Sequence, residues 1–154
     1  MRTRAELGMA MFLISDAVFF FLLLLAFVYF RAAGAAKLNL TAGALDTACL
    51  LASSFTVWRS RRWLGITIGL GLAFLIGQGI QYLRLIRDGV TISQGLFGTT
   101  FFTLAGMHGL QVLIGLVALA IVPFTAIRPV AMYWAFMAIV WLVIFVAAYI
   151  WRAA

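Results

Sequence analysis

Long apolar runs alternate with short polar or basic breaks along this sequence, and the pattern predicts membrane-spanning helices. A helix needs about 20 apolar residues to cross roughly 30 Å of hydrocarbon. Five runs fit this requirement, at 8–31, 40–58, 63–86, 96–122 and 129–151. The breaks between them are short and contain Arg, Lys, Gly or Pro, so consecutive helices are predicted to be antiparallel neighbours.

The same pattern excludes a membrane β-barrel. No segment shows the period-two alternation of apolar and polar residues that barrel strands require. The predicted fold class is therefore all-α, an integral membrane bundle of five antiparallel transmembrane helices that forms a single domain over residues 1–154. The first run follows Arg2 and Arg4 as a secretion signal does, but its length and its lack of a cleavage site predict a retained helix.

Composition and charge narrow the class of protein further. Hydrophobic residues make up 66% of the chain and charged residues 10%, which excludes a soluble globular domain. The net charge of +7 does not indicate a nucleic-acid partner, because the basic residues are spread among helix ends instead of being gathered on a domain. They are expected to meet lipid phosphates. The single cysteine, Cys49, cannot form an intrachain disulfide, and packing is its expected role.

The basic residues also suggest an orientation in the membrane. The densest cluster, Arg59 to Arg62, is predicted to lie on the same side as Arg2 and Arg4. Because basic residues are enriched on the cytoplasmic side, this favours a cytoplasmic N-terminus and an external C-terminus. The bias is small, since the other basic residues fall mostly on the opposite side.

Asp16 lies within the first apolar run, where a charged side chain is costly. Insertion scales put that cost at roughly 2.5–3.5 kcal/mol, so a partner or a hydrated cleft is expected to compensate. Two interpretations are open. Asp16 could carry a proton or bind a ligand, or it could simply be protonated or hydrogen-bonded to a hydroxyl such as Ser15 or Ser53.

The second and third runs carry polar residues suited to contacts between helices. Asp46 lies near the entry turn of the second run, where partial hydration is expected, among small and hydroxyl residues that favour close packing. In the third run, Gly65 and Gly69 form a G-x-x-x-G step, which also predicts close packing. Gln78 and Gln81 lie three apart on one face, so both amides are expected to meet a protein neighbour.

The fourth run contains His108, the only histidine of the chain, and Gln111 three residues later on the same face. One histidine and a distant Cys49 cannot complete a metal shell, although a single axial bond to haem is not formally excluded. The favoured interpretation of His108 is a residue that hydrogen-bonds between helices.

Aromatic residues at the ends of the runs are expected to anchor the helices at the membrane interface. This prediction covers most of the aromatic residues of the fifth run, since Tyr133, Trp134, Tyr149 and Trp151 lie toward its ends and Trp141 lies near its middle. A second group could bind an anionic lipid headgroup, because guanidinium groups suit phosphate and indoles settle at that depth; it consists of Trp58, Arg59, Arg61, Arg62 and Trp63. Plain topology signals are the alternative interpretation of this group.

Five ordered segments resemble subunit III of the haem-copper respiratory oxidases, and together they span nearly the whole chain. The motifs are Ser15-Asp16 within 6–20, Asp46-Thr47 followed by Ser53-Ser54, Gln78-Gly-Ile-Gln81-Tyr82, Gly106-Met-His108-Gly109-Leu-Gln111, and the segment 133–141. The last two are the most specific. The chain resembles the five-helix form, which lacks two N-terminal helices of the seven-helix form.

Departures from the family pattern affect titratable positions. Asp16 stands where the family usually has glutamate, and an aspartate at this position resembles the quinol-oxidising branch. Four positions hold neutral residues where the family has His, His, Asp and Glu; they are Gln111, Ala135, Ala138 and Gln81. Roles in proton relay that depend on those four positions are therefore weakened.

The resemblance implies a non-redox accessory subunit of a terminal oxidase, a complex that reduces oxygen and pumps protons. Haem and copper are expected in a partner, the catalytic subunit I, beside subunit II, while this chain holds no catalytic centre. In the family, subunit III stabilises the complex, limits inactivation during turnover, supports proton uptake and lines a cleft for phospholipid and oxygen. The cleft residues implied here are Asp16, Gln78, Gln81, His108 and Gln111. A bacterial or archaeal plasma membrane is the expected location.

Two alternatives remain. One is the subunit-III-like accessory protein of nitric oxide reductases, which shares the five-helix plan. The other is a small transporter or channel, suggested by the glycine-rich helices and by Asp16 and His108 within the membrane. The sequence has no internal repeat and no pair of interrupted helices at matching positions, which disfavours a transporter.

Overall fold

The computed structural model describes residues 4–30, 38–59, 61–93, 95–123 and 126–150, with Arg61 described in its backbone only. This part of the chain is an all-α bundle, as predicted. Its five helices are α1 (Arg4–Phe30), α2 (Leu40–Thr56), α3 (Leu64–Arg87), α4 (Leu96–Ile121) and α5 (Ile127–Phe145). A short 3₁₀ turn, Arg61–Trp63, precedes α3, and a π-helical turn, Val146–Ile150, extends α5.

Four of the helices, counting α5 with its π-helical turn, are long and apolar enough to cross a membrane. The exception among the described helices is α2, which has 17 residues and is therefore about 25 Å long. Its ends are set locally: the Asn39 side chain accepts a hydrogen bond from the Ala42 N–H at 3.1 Å, a common N-cap arrangement. Predicted and observed helix ends otherwise differ by a few residues, most at the start of α1.

The helices α4 and α5 form the centre of the bundle. The helix α4 packs on α1, α3 and α5, and α5 packs on α1, α2 and α4. The expectation that all consecutive helices are close neighbours is wrong for the first pair, because α1 packs mainly on α4 and α5, whereas α2 packs mainly on α3 and α5. The helix α1 is consequently the least buried of the four long helices and α5 the most buried.

Glycines allow the Trp134 ring to lie between α3 and α4. A Cβ atom added at Gly71 would lie 2.9 Å from the ring, and one added at Gly115 would lie 3.0 Å from it. The prediction of close packing at Gly65 and Gly69 is wrong within this chain, since a Cβ at either position meets nothing within 4 Å. Both of these glycines face the outside of the bundle, so the spacing alone did not identify which glycines are in contact.

Candidate functional site: two buried carboxyl–amide clusters

The first cluster surrounds Asp46 at the contact between α2 and α3. The amide groups of Gln78 and Gln81 both donate to Asp46 Oδ2, at 2.9 and 2.7 Å. All three side chains are buried. The prediction that the two amides meet a protein neighbour is confirmed, and the neighbour is the Asp46 carboxyl group of α2.

The π-helical turn after α5 completes this first cluster. Tyr149 lies in that turn, and its hydroxyl donates to Gln81 Oε1 at 2.6 Å. A π-helical turn contains an extra residue relative to an α-helical one and often occurs at functional sites. Both polar atoms of the Gln81 amide are therefore bonded: the oxygen accepts from Tyr149 and the nitrogen donates to Asp46. Its orientation is fixed by these two partners.

The Asp46 side chain also lies close to the backbone of α3. Gly77 precedes Gln78 on α3, and a Cβ atom at Gly77 would overlap Asp46 Oδ1. Among the described residues Asp46 has no basic residue within ion-pair distance. The carboxyl group is therefore held by amide groups and by close contact with the α3 backbone. The expectation that Asp46 is partly hydrated at the entry turn is wrong in this respect, because only 8% of its surface is exposed.

The second cluster joins α1 to α4 through Asp16. The Gln111 side-chain amide nitrogen donates to Asp16 Oδ1 at 2.8 Å. The Tyr133 hydroxyl of α5 donates to the backbone carbonyl oxygen of Gln111, also at 2.8 Å. Neither serine expected to bond Asp16 does so. The Ser15 hydroxyl donates to the Met11 carbonyl, and the Ser53 hydroxyl donates to the Leu50 carbonyl.

Each cluster leaves buried polar atoms without a hydrogen-bond partner. In the Asp16 cluster these are Asp16 Oδ2 and Gln111 Oε1, and in the Asp46 cluster Gln78 Oε1. Such atoms are uncommon in protein interiors because an unmade hydrogen bond costs about 1–3 kcal/mol. They identify positions where a proton or a water molecule is needed.

His108 does not belong to either cluster. Its Nε2–H donates to the Met137 carbonyl oxygen of α5 at 2.9 Å, since a carbonyl can only accept. The favoured interpretation of His108, a hydrogen bond between helices, is confirmed. His108 and Gln111 do not form one polar spot, because they bond different helices.

Aromatic rings surround His108 in the core of the bundle. The ring is fully buried and lies within 6.0 Å, between ring centres, of Phe20, Phe74 and Trp141. Within the described ranges, no group of three or more His, Cys, Asp or Glu side chains could hold a metal ion. His108 Nε2 is bonded to the Met137 carbonyl, and His108 Nδ1 is buried without a hydrogen-bond partner among the described residues.

The prediction of interfacial anchors near the ends of the fifth helix is wrong for Tyr133, Trp134 and Tyr149. Tyr133, Trp134, Trp141 and Tyr149 are all buried in the bundle. The indole N–H of Trp134 donates to Ser53 Oγ, and that of Trp141 donates to Thr47 Oγ1, each at 3.0 Å. Hydroxyl groups of α2 thus accept the indole hydrogen bonds that water would accept at a membrane interface. Trp151 lies outside the described residues.

The proposed headgroup residues lie together at the connection from α2 to α3. Trp58 and Trp63 are 53% and 45% exposed, and the Arg59 and Arg62 side chains are also exposed. The side chain of Arg61 is outside the described part of the structure. Exposed indoles beside guanidinium groups are compatible with both earlier interpretations, lipid binding and topology.

Sequence reasoning did not include Asp46 and Tyr149 among the candidate site residues. A signal was present for Asp46: two glutamines on one face of an apolar helix need a partner, and Asp46 is the acid of the preceding helix. For Tyr149 no signal was present, because the π-helical turn that directs it toward Gln81 has no recognisable sequence pattern.

Comparisons with known proteins agree with this architecture. The profile of the family described as "Cytochrome c oxidase subunit III" matches residues 44–153. Relatives named "Probable cytochrome c oxidase subunit 3" are 35% identical in Nocardia farcinica and 34% identical in Mycobacterium leprae. The first alignment covers 75% of this chain and 69% of the relative, and the second covers 96% and 88%.

A third relative, "Cytochrome c oxidase subunit 3" of Corynebacterium diphtheriae, is 33% identical over 75% of this chain and 68% of its own length. The profile match extends over more than two thirds of the sequence and includes the Asp46 cluster and His108. This chain therefore belongs to the cytochrome c oxidase subunit III family.

Proposed function

We propose that this chain is the non-redox accessory subunit III of a terminal haem-copper oxidase, in which it stabilises the catalytic subunit. The family match over residues 44–153 is the observation that carries the proposal. Membership of a multi-subunit oxidase complex follows from the family. The specific partners proposed are subunit I, which would hold the haems and copper, and subunit II.

The geometry supports an accessory role. The polar groups inside the bundle bond one another across helices, as groups that fix helix packing do. Many large apolar side chains of α1 face outward, including Met11, Val18 and Leu25, which leaves a long apolar surface for lipid or for another subunit.

The test is co-purification. A tagged chain, extracted from its native membrane in mild detergent, should bring down a haem-bearing subunit whose reduced-minus-oxidised spectrum is that of a terminal oxidase. Recovery with a nitric oxide reductase catalytic chain would support that alternative, and recovery of a stable chain alone would contradict the proposal. Proton or ion flux in vesicles that contain only this chain would indicate a transporter.

The proposed location is a bacterial plasma membrane, with the N-terminus in the cytoplasm. The apolar helices support a multi-pass membrane protein, and the three relatives named above are bacterial. Reporter fusions at each end of the chain test the orientation: a cytoplasmic reporter should be active at the N-terminus and inactive at the C-terminus. The reverse pattern would overturn this orientation.

A further inference from the structure

The Asp46 cluster combines a buried carboxyl group and an amide oxygen without a donor, and its Gln81 lines a pocket at the end of the bundle where α2 begins and α3 ends. We propose that Asp46 is a proton-exchange site, at which the carboxyl group takes a proton from surface water and shares it with Gln78.

The two glutamines of the cluster are not equivalent. The oxygen of Gln81 already accepts the Tyr149 hydroxyl. The oxygen of Gln78 is buried and has no donor, although the nitrogen of the same amide donates to Asp46 Oδ2. Gln78 therefore has one free acceptor beside the carboxyl group.

A proton on Asp46 would give the Gln78 oxygen a hydrogen-bond donor. The two heads of an amide and the two oxygens of a carboxyl group are similarly spaced, so one amide can donate to one oxygen and accept from the other. In the charged form Asp46 Oδ2 is stabilised by two N–H groups. In the neutral form Oδ1–H donates to Gln78 Oε1 while Oδ2 keeps its amide donor. Both protonation states thus have partners, as a group that exchanges protons requires.

Access comes from the end of the bundle at which α2 begins and α3 ends. A pocket of about 190 Å³ is lined there by Asn39, Gln81, Arg84 and Asp88, together with Leu38 and Leu85. It is polar enough and large enough for water. Asp46 lies about 9 Å along α2 from its first residue. Gln81 links the two, since it lines the pocket and donates to Asp46.

Other titratable or charged groups near the cluster are few among the described residues. Tyr149 approaches from the turn after α5 and is bonded to Gln81. On α3, Arg84 and Asp88 line the pocket with opposite charges, and Tyr82 follows Gln81. None of these makes an ion pair with Asp46, and the proposed exchange partner is therefore solvent that enters the pocket.

The Asp16 cluster provides a matched comparison. Asp16 accepts from one glutamine amide where Asp46 accepts from two, and the pocket lined by Gln111 is otherwise formed by apolar side chains and Tyr133. Rapid exchange with surface water is accordingly expected for Asp46 and not for Asp16.

Infrared spectroscopy of the purified complex, with isotope-labelled aspartate, tests the proposal. The wild type should show a protonated aspartic acid C=O band that appears and disappears reversibly with pH and shifts within minutes in deuterated buffer. Asp46→Asn should abolish this band and Asp16→Asn should leave it in place. The proposal is overturned by a band that persists in Asp46→Asn, or by the absence of any band that titrates.

A second variant keeps the carboxyl group and removes its partner. Gln78→Met should shift the Asp46 band to higher frequency, because the acid loses both hydrogen bonds to the amide. An unchanged frequency would contradict the pairing with Gln78. These readouts concern Asp46 alone and do not depend on which oxidase or reductase the chain accompanies.

Discussion

Each of the two buried aspartates is held by glutamine side chains from another helix. Amide donors can neutralise part of the cost of a buried carboxyl group without adding a cation. The resemblance to subunit III implies a glutamate at the position of Gln81. In this chain the acid of the contact is Asp46 on α2 and the amide is Gln81 on α3.

A charge exchange between these two residues tests this interpretation. Gln81→Glu alone should destabilise the complex, because two carboxyl groups would then face each other where a 2.7 Å hydrogen bond now exists. The double variant Asp46→Asn, Gln81→Glu should recover most of the loss. A coupling of roughly 0.5–3 kcal/mol is expected for residues in contact. Thermal unfolding of wild type, both single variants and the double variant measures it, and strictly additive effects would refute the contact.

Asp16→Ala should leave the haem spectrum of the complex intact and shorten the time for which it remains active during turnover. The change leaves the Gln111 amide without its partner at the contact between α1 and α4, which loosens that contact. The number of turnovers before activity is lost is the measurement. Ser15→Ala is the control, because Ser15 is exposed and bonds only within its own helix. An Asp16→Ala complex that lasts as long as the control would contradict this prediction and show that the Asp16–Gln111 hydrogen bond does not limit the active lifetime.

At the level of helices, the sequence predicted the helices themselves more reliably than the contacts between them. Apolar length predicted all five helices, since crossing hydrocarbon imposes a strong and local constraint. Helix faces were harder to assign, because lipid and protein interior are both apolar. Trp134 and Trp141 illustrate this: their partners Ser53 and Thr47 lie 81 and 94 residues away. Without its distant partner, Trp134 near the start of its run was expected at the membrane interface.

Glycine substitutions distinguish the packed face of α3 from its outer face. Gly71→Ala should lower stability by about 1–3 kcal/mol, the usual cost of overpacking, because the new Cβ would press on Trp134. Gly69→Ala on the same helix should be close to neutral, since nothing lies within 4 Å of its Cβ. Thermal unfolding of the two variants gives the comparison. A destabilised Gly69→Ala complex would show that another subunit occupies this face.

At the scale of the whole molecule, the other helices pack around α4 and α5, and many apolar side chains are exposed on the outside of the bundle. Its long exposed apolar surfaces require lipid or neighbouring subunits, and the helix α1 contributes much of that surface. The connection from α2 to α3 lies at one end of the bundle, where exposed indoles and guanidinium groups occur together. This end is therefore suited to contact with lipid headgroups.

A triple variant tests whether that contact binds specific lipids. Replacing Arg59, Arg61 and Arg62 with Gln should lower the amount of anionic phospholipid that remains with the purified complex, because forked guanidinium donors bind phosphate more strongly than amides do. Mass spectrometry of retained lipids is the measurement. Arg84→Gln together with Arg87→Gln is a suitable control, since these arginines lie at the opposite end of α3. An equal loss of lipid in both variants would indicate a general effect of charge, and an unchanged lipid content in the triple variant would favour the role in topology.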